Sequence, residues 1–542
     1  MTPSPLPHNS PAAPASAPLQ PEVIEAIGRI FEDAVAEQKT SGMAWGVVRG
    51  GAILASGGAG ASHLVGGAPA PTSVTPTPAS ISRIASMTKS FTAATVLALR
   101  DEGALRLDDP LADYLPEARS IGRPSADSPA LTLRHALTMS AGFVTDNPWG
   151  DRQEAMTRKD FARFLEGGLA FVAEPGTGFE YSNTGYALLG RVIDEVTGSD
   201  YRDQIRERFL IPLGMHDTFF GLDEATDEQR VRVLEGHRVS DATGLAKFER
   251  EPFDAPGVFG AMAGLFSTVQ DVGRWVAFLA EVGDGSALTG ERADAHRALL
   301  SVASRREMQE IHRVQDVPAL SDGTGFARVR GYGMGLVIEK FPLLGETVGH
   351  SGGYPGFGSY MVWHRHSGLG VIALGNSKYA PATACAMRAL EAVREAQPEL
   401  LAARTPTLDP RTLEALDAAL NWLREAPGAS DDADSSAEAA ALADRWFASN
   451  MDQDVSRAER LRLRDAALRL AGLTLDALRS EKATRLLPLS AAQARMIIEG
   501  PSGTLQLDLL MEPRASGLIQ ALNVKGTARE AGEASGTAPI GI

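Results

Sequence analysis

Apolar positions up to about residue 281 recur mostly at helical spacing, and those from residue 332 to 374 fall in short strand-like segments bounded by glycines. Val23, Ile24, Ile27, Phe31 and Val35 predict a helix from Pro21, a residue suited to a first turn, to about Gln38. Ala44 to Val48 and Ala52 to Ser56 then predict two strands joined across Arg49-Gly50-Gly51 as a hairpin, with Gly57 to Pro78 reading as loop. Ser82 to Arg100 reads as a short extended entry into a helix that carries Phe91, Ala94, Leu97 and Ala98 on one side. Further helices are expected at Leu131 to Thr138, Thr184 to Val196 and Val269 to Glu281. Tyr332 to Glu339, Glu346 to Gly349, Ser359 to Trp363 and Gly370 to Leu374 predict an antiparallel meander. Strands near both ends with helices between them imply one sheet closed by the two ends of the segment.

Around residue 400 the pattern changes. Residues 401–437 read as a linker holding one helix, Thr412 to Arg424, between turn-rich and acidic stretches. Residues 438–524 read as a small accessory α+β domain: helices at Glu438 to Ala448 and Ser456 to Leu470, then strands at Met496 to Glu499, Thr504 to Leu510 and Gly517 to Val524. The proline-rich residues 1–21 are expected to be a disordered leader, residues 22–400 the main domain, and 525–542 a disordered tail.

Composition narrows the function classes. Lys+Arg number 52 against 68 Asp+Glu, a formal net charge of -16, so the basic footprint that nucleic acid or anionic lipid demands is missing. No apolar run approaches the roughly 18 residues of a membrane span, and the first residues lack the basic start and apolar core of a signal peptide; a cytoplasmic location is expected. A single cysteine, Cys385, excludes an intrachain disulfide and a multi-cysteine metal site. His364 and His366 share a strand face but have no acidic neighbour, and the glycine-rich stretches lack the grammar of phosphate loops, so neither a metal nor a nucleotide is expected.

Three short motifs carry chemistry. In Ser86-Met87-Thr88-Lys89 at a helix start, the i, i+3 spacing brings the Lys89 amine within reach of the Ser86 hydroxyl, which is how a poor nucleophile is activated. Tyr181-Ser182-Asn183 precedes a helix, and a lysine near Tyr181 would lower its pKa and make it a general base. Val348-Gly349-His350-Ser351-Gly352-Gly353, at the end of a strand, offers glycines that admit close backbone approach and an N–H for a developing oxyanion. Gly349 to Gly353 also spells a nucleophile elbow, G-x-S-x-G, but no helix can start at Tyr354-Pro355-Gly356, so Ser351 is not expected to be the nucleophile.

With LTLRHALTMSAG (Leu131 to Gly142), EPGTGFEYSNTGYALLGRVIDEVTG (Glu174 to Gly198), AGLFSTVQDVGRW (Ala263 to Trp275) and GVIALGN (Gly370 to Asn376), these motifs make Val23 to Asn376 resemble the class C β-lactamase-like serine hydrolases, related to penicillin-binding proteins, D-aminopeptidases and esterases. The resemblance implies an α+β fold, an antiparallel sheet flanked by helices plus a helical lobe. It implies metal-independent, cofactor-free acyl transfer: Ser86 attacks a carbonyl, Lys89 and Tyr181 share the proton work, Ser86 and Gly353 supply oxyanion N–H groups beside Gly352, and Asn183 orients Lys89 and the substrate. His350 stands where lactam-hydrolysing relatives carry lysine, which favours an ester, amide or peptide substrate of esterase or D-amino-acid-peptidase type over a β-lactam. It is also compatible with a hydrogen bond to Tyr181. The alternatives are a β-lactamase or D-Ala-D-Ala carboxypeptidase and, in another class, a non-catalytic ligand-binding relative. The C-terminal domain is expected to cap the site or to join copies of the chain.

Overall fold

The computed structural model describes residues 18–240, 247–282, 290–318, 328–402, 406–426, 437–480, 485–515 and 517–529. Two compact units divide the chain between Ala403 and Arg404. In the first, helix α1 (Pro21–Ala36) precedes the hairpin β1 (Gly42–Arg49) and β2 (Ala52–Gly60). A helical lobe follows, containing α2 (Thr88–Asp101), α3 (Asn183–Thr197) and α4 (Val269–Ala280). Six more strands complete the sheet: β3 (Arg313–Asp316), β4 (Val329–Tyr332), β5 (Val337–Phe341), β6 (Gly345–Tyr354), β7 (Phe357–His364) and β8 (Leu369–Gly375), before α5 (Ala382–Ala396). The order is β2-β1-β8-β7-β6-β5-β4-β3, antiparallel throughout.

The sheet is covered on both faces, which is why β1, β7 and β8 read as nearly continuous apolar runs rather than alternating ones. On one face α1 and α5 bury Ile27, Phe31, Cys385 and Leu390 against Trp45, Tyr360 and Val371, with Phe31 stacked on Trp45 at 5.4 Å. On the other, α4 brings Val272 and Trp275 into the core shared with α2 and α3. The expected one-sided helix after Ser82 is instead buried all round: every residue from Thr88 to Leu99 is enclosed. Its polar side chains are satisfied inside, Thr92 donating to Ala261 O at 2.6 Å and Ser90 accepting from Trp275 Nε1 at 2.9 Å.

Two local readings change. Gly57 to Gly60, expected as loop, extends β2, because the Trp45 ring occupies the space a side chain at Gly57 would need. Tyr332 to Glu339, expected as one strand, is a hairpin whose turn falls at residues 333–336, with Gly335 at φ +72°.

In the second unit, α6 (Pro410–Glu425), α7 (Ala437–Trp446) and α8 (Arg457–Ala471) precede a four-stranded antiparallel sheet, β9 (Arg485–Ser490), β10 (Gln493–Gly500), β11 (Gly503–Met511) and β12 (Ile519–Ala528). Leu505, Leu507 and Leu509 alternate inward as their period demands. The helix expected inside a linker belongs to this core. Leu416, Ala419, Trp422 and Leu423 of α6 pack with Met496 and Leu507, and the fully buried Arg464 of α8 donates to the carbonyls of Leu423 and Ala426 at the α6 C-terminus, each at 2.8 Å. β12 continues through Lys525 to Ala528, where a disordered tail was expected to begin; the rest of that tail and nearly all of the expected leader lie outside the described residues. No described helix is long and apolar enough to cross a membrane.

Candidate active site

Ser86 lies in a short 3-10 turn, Ala85–Met87, that leads into α2. Ala85 immediately before it adopts φ +49°, a left-handed conformation that costs an alanine about 1–3 kcal/mol and that only the surrounding packing can hold. That packing is β6. A Cβ at Gly352 would stand 2.3 Å from Ile84 O and 3.0 Å from Ala85 Cβ, so glycine is what lets the strand run against the turn.

The Lys89 amine, fully buried, sits 3.0 Å from Ser86 Oγ, 2.8 Å from Asn183 Oδ1 and 3.1 Å from Met262 O. Tyr181 donates its hydroxyl to Ser86 Oγ at 3.0 Å. Asn183 opens α3, its amide Nδ2 turned to Asn147 Oδ1 at 3.3 Å so that its oxygen faces Lys89. Asp146 holds that helix start: Oδ1 accepts from Asn183 N at 2.7 Å, and Oδ2 from Thr184 N at 2.8 Å. Three segments distant in sequence, those of Ser86, Asn183 and Met262, thus meet at the Lys89 amine.

Burial sets the proton affinities. It lowers Lys89 to about 7, against the pull of Asp151, Asp146 and Glu154, whose carboxylates favour the ammonium. It raises Tyr181 well above the usual phenol range, outweighing the opposing hydrogen bond to Ser86. The expected depression of Tyr181 by the neighbouring lysine is therefore corrected: the phenol keeps its proton and the amine is the group that titrates near neutrality.

His350 lies in the middle of β6, not at a strand end, and is corrected in its partner as well. Its Nδ1 is 2.6 Å from Ser351 O, an acceptor only, so Nδ1 carries the proton and Nε2 accepts from Tyr332, 3.1 Å away. Tyr181 is not its partner. Burial first, then the Lys89 and Arg330 charges, lower His350 to about 3. A neutral, enclosed imidazole cannot act as a cation there.

The cavity beside Ser86, about 510 Å³, is lined among others by Tyr181, Arg330, Ser351, Gly353 and Tyr379. Gly352 joins this lining; Lys89, Asn183 and His350 stand behind it. β5 pairs with β6 from Gly345 to Gly349, so, among the described residues, 350–354 have a strand neighbour on one side alone. The Tyr379 ring lies so close over Gly353 that a Cβ there would fall 2.2 Å from it. Ser351 sits within a strand that turns directly into β7, which is not the strand-to-helix turn of a nucleophile elbow. Reading the sequence did not single out Met262, Asp146, Asn147, Asp151, Arg330 or Tyr379; the one available signal was Asp146-Asn147-Pro148, a turn-initiating triplet just before a tryptophan. Among the described residues no three His, Cys, Asp or Glu side chains converge on a metal site, and His364 packs edge-on against His366 while contacting Ser367 Oγ at 3.0 Å.

A serine, a lysine and a tyrosine meeting between an antiparallel sheet and a helical lobe define a recognisable class of acyl-transfer fold. Residues 27–394 match the family described as Beta-lactamase, and the chain belongs to that family. It is 30% identical over 316 residues to penicillin-binding protein 4 of Amycolatopsis lactamdurans, covering 56% of this chain and 74% of that one. It is 25% identical over 312 residues to penicillin-binding protein 4* of Bacillus subtilis (strain 168) and 26% over 306 to protein flp of Staphylococcus aureus (strain MW2), matches that cover 55% of this chain in each case and span 61% and 53% of those relatives. The fold is shared with the octameric penicillin-binding protein homologue from Pyrococcus abyssi, TM-score 0.56 at 22% identity over 92% of both chains. It is also shared with a D-stereospecific amidohydrolase from Streptomyces sp., TM-score 0.50 at 24% identity over 67% of this chain and 97% of that one.

Proposed function

We propose that this chain is a serine hydrolase that forms an acyl-enzyme on Ser86 from a small ester, amide or peptide, of esterase or D-amino-acid-peptidase type. The observation that carries the reading is the approach of Lys89 Nζ and Tyr181 Oη to the same Ser86 Oγ, each at 3.0 Å. A neutral amine has two hydrogens and one lone pair. Asn183 Oδ1 and Met262 O take the two hydrogens, which aims the lone pair at Ser86 and makes Lys89 the general base. As the Ser86 oxygen attacks the carbonyl, its proton passes to Lys89. Tyr181, its hydroxyl donated to Ser86 Oγ and a phenol throughout, steadies that oxygen, and the proton taken up by Lys89 is delivered to the departing group. The backbone N–H groups of Ser86 and Gly353 receive the oxyanion, a contribution of about 3 kcal/mol per donor in such sites. Water then resolves the ester by the reverse sequence.

A lactam-directed role has less support, because His350 is neutral and enclosed. Labelling by a fluorophosphonate, read by intact mass and peptide mapping, tests the proposal. One adduct on the Ser86 peptide, lost in Ser86→Ala, is the expected result; a folded protein without an adduct would remove the catalytic reading and leave a ligand-binding relative.

A further inference from the structure

A buried ion pair anchors the turn that carries Ser86. Three residues before the serine, Arg83 is enclosed and its Nη2 stands 3.2 Å from Oε1 of Glu154, which is enclosed as well. Among the described residues neither has another ion-pair partner. Arg83 lies in the two-residue strand Ser82–Arg83, paired with Phe266–Ser267. Its guanidinium carbon is 4.1 Å from the centre of the Tyr354 ring and 5.1 Å from that of Phe266. Tyr354 ends β6 and adjoins Gly353. Glu154 follows Asp151 by three residues, and its carbonyl accepts from Gly257 N at 2.7 Å. Its carboxylate rests against the helical turn Gly260–Ala263: a Cβ at Gly260 would fall 3.4 Å from Oε1, and one at Gly264 2.9 Å. That turn provides Met262 O, which accepts from Lys89.

We propose that Arg83 and Glu154 are positioning residues of the acyl transfer: their ion pair holds the Ser86 turn, the Gly353 strand end and the Met262 acceptor in one fixed spacing. The assignment rests on the acyl-transfer reading given above. Stability alone does not call for such a pair, because desolvation offsets most of its attraction and apolar side chains fill buried space at least as well. A flat guanidinium can meet a carboxylate at its edge while a ring covers its face, so one side chain registers two segments at once. The pair also reaches the base through space. Lys89 faces the carboxylates of Asp146, Asp151 and Glu154, the rings of Tyr181 and Tyr186, and His350. Glu154 in turn faces Arg83, Tyr354, Tyr201, Asp254 and Asp151. Burial raises the Glu154 carboxyl and Arg83 is what opposes that most, so the guanidinium favours the carboxylate and the carboxylate favours the Lys89 ammonium.

Variants separate the two effects. Glu154→Gln removes a carboxylate that favours the ammonium, so the acid limb of kcat/KM for p-nitrophenyl butyrate should move to lower pH. Arg83→Gln/Glu154→Gln, which removes both charges, should return the limb toward its wild-type position. On the plateau this double variant should lose about 10- to 100-fold in kcat with KM little changed, the loss expected when reacting groups shift by about 1 Å. Arg83→Lys, which keeps the charge without the flat contact, should recover part of that loss. A merely structural pair would lower the melting temperature and leave limb and plateau in place; a fixed limb in Glu154→Gln, or an unchanged plateau in the double variant, overturns the proposal. If the uncharged variants do not fold, Arg83→Lys decides, a lowered kcat at unchanged KM supporting the proposal and a wild-type kcat rejecting it. Failure of the acyl-transfer reading is seen separately, as a wild type without the fluorophosphonate adduct. In that case an NMR titration of the Lys89 ε-carbon, assigned through Lys89→Arg, is the readout: a lower titration point in Glu154→Gln supports the coupling, and an equal one rejects it.

Discussion

Tyr379 donates a 2.6 Å hydrogen bond to Oδ2 of Asp151, joining the loop after β8 to the loop before α3 at the wall of the Ser86 cavity. Tyr379 holds φ +50° to do so, and Asp151 Oδ1 has no hydrogen-bond partner among the described residues. Burial raises the Asp151 carboxyl, and the tyrosine is what opposes that most.

Tyr379→Phe should therefore destabilise the protein by about 1–3 kcal/mol at pH 8, the cost of a buried acceptor left without its donor. The variant's Asp151 has a folded pKa raised further above its unfolded value, so the deficit is complete above that folded pKa and shrinks as pH falls through it toward the ordinary carboxylate range. Urea unfolding at pH 8 and pH 5 checks the sign; an equal deficit at both would sever Asp151 from the effect.

The proton order in the site predicts a pH profile. With Lys89 at about 7, kcat/KM should rise about tenfold per pH unit below that value and level off above it, since the amine must be neutral to take the Ser86 proton. Tyr181 stays protonated across the same range, so Tyr181→Phe should lower the plateau without moving the limb. Lys89→Arg, permanently charged, should lose about 10²- to 10⁴-fold. A limb that disappears in Tyr181→Phe would reassign the base.

Asp146→Asn separates position from charge. The Asp146 carboxylate raises the Lys89 pKa, so its removal makes the amine easier to deprotonate and shifts the acid limb to lower pH. The same change weakens the start of α3, where Asp146 accepts from Asn183 N and Thr184 N, by about 0.5–2 kcal/mol. A pH–rate profile and a thermal melt on one sample read both effects, and a limb moved upward would contradict the electrostatic assignment.

Truncation should depend on where α6 is left. Ending the chain at residue 403 removes the second unit whole, and the remainder is expected to give a soluble protein that still labels with the fluorophosphonate. Ending it at residue 430 keeps α6 and strips its partners, exposing Leu416, Leu420, Trp422 and Leu423. That shorter deletion should aggregate, as size-exclusion chromatography would report. Equal behaviour of the two would mean that α6 does not need the second core.

What the sequence by itself determined is local. The i, i+3 spacing from Ser86 to Lys89, the helical period of α1, α3 and α4, the hairpin at Arg49-Gly50-Gly51 and the alternation of Leu505, Leu507 and Leu509 follow from covalent geometry, and each is where it was expected. That Tyr181 and Asn183 stand beside the motif lysine is implied by the resemblance to the class C β-lactamase-like hydrolases and not by local geometry, because both lie far along the chain from it. The tertiary structure decided which of the two groups near Ser86 holds its proton, which way His350 turns, that the Asp146 to Asp151 loop enters the site, and that α6 belongs to the second core. Each of these depends on desolvation or on partners far along the chain. Lys89 is neutral enough to act because α2 is enclosed all round, with Met262 on one side and Asn183 on another, and no window of sequence around Ser86 contains that sum.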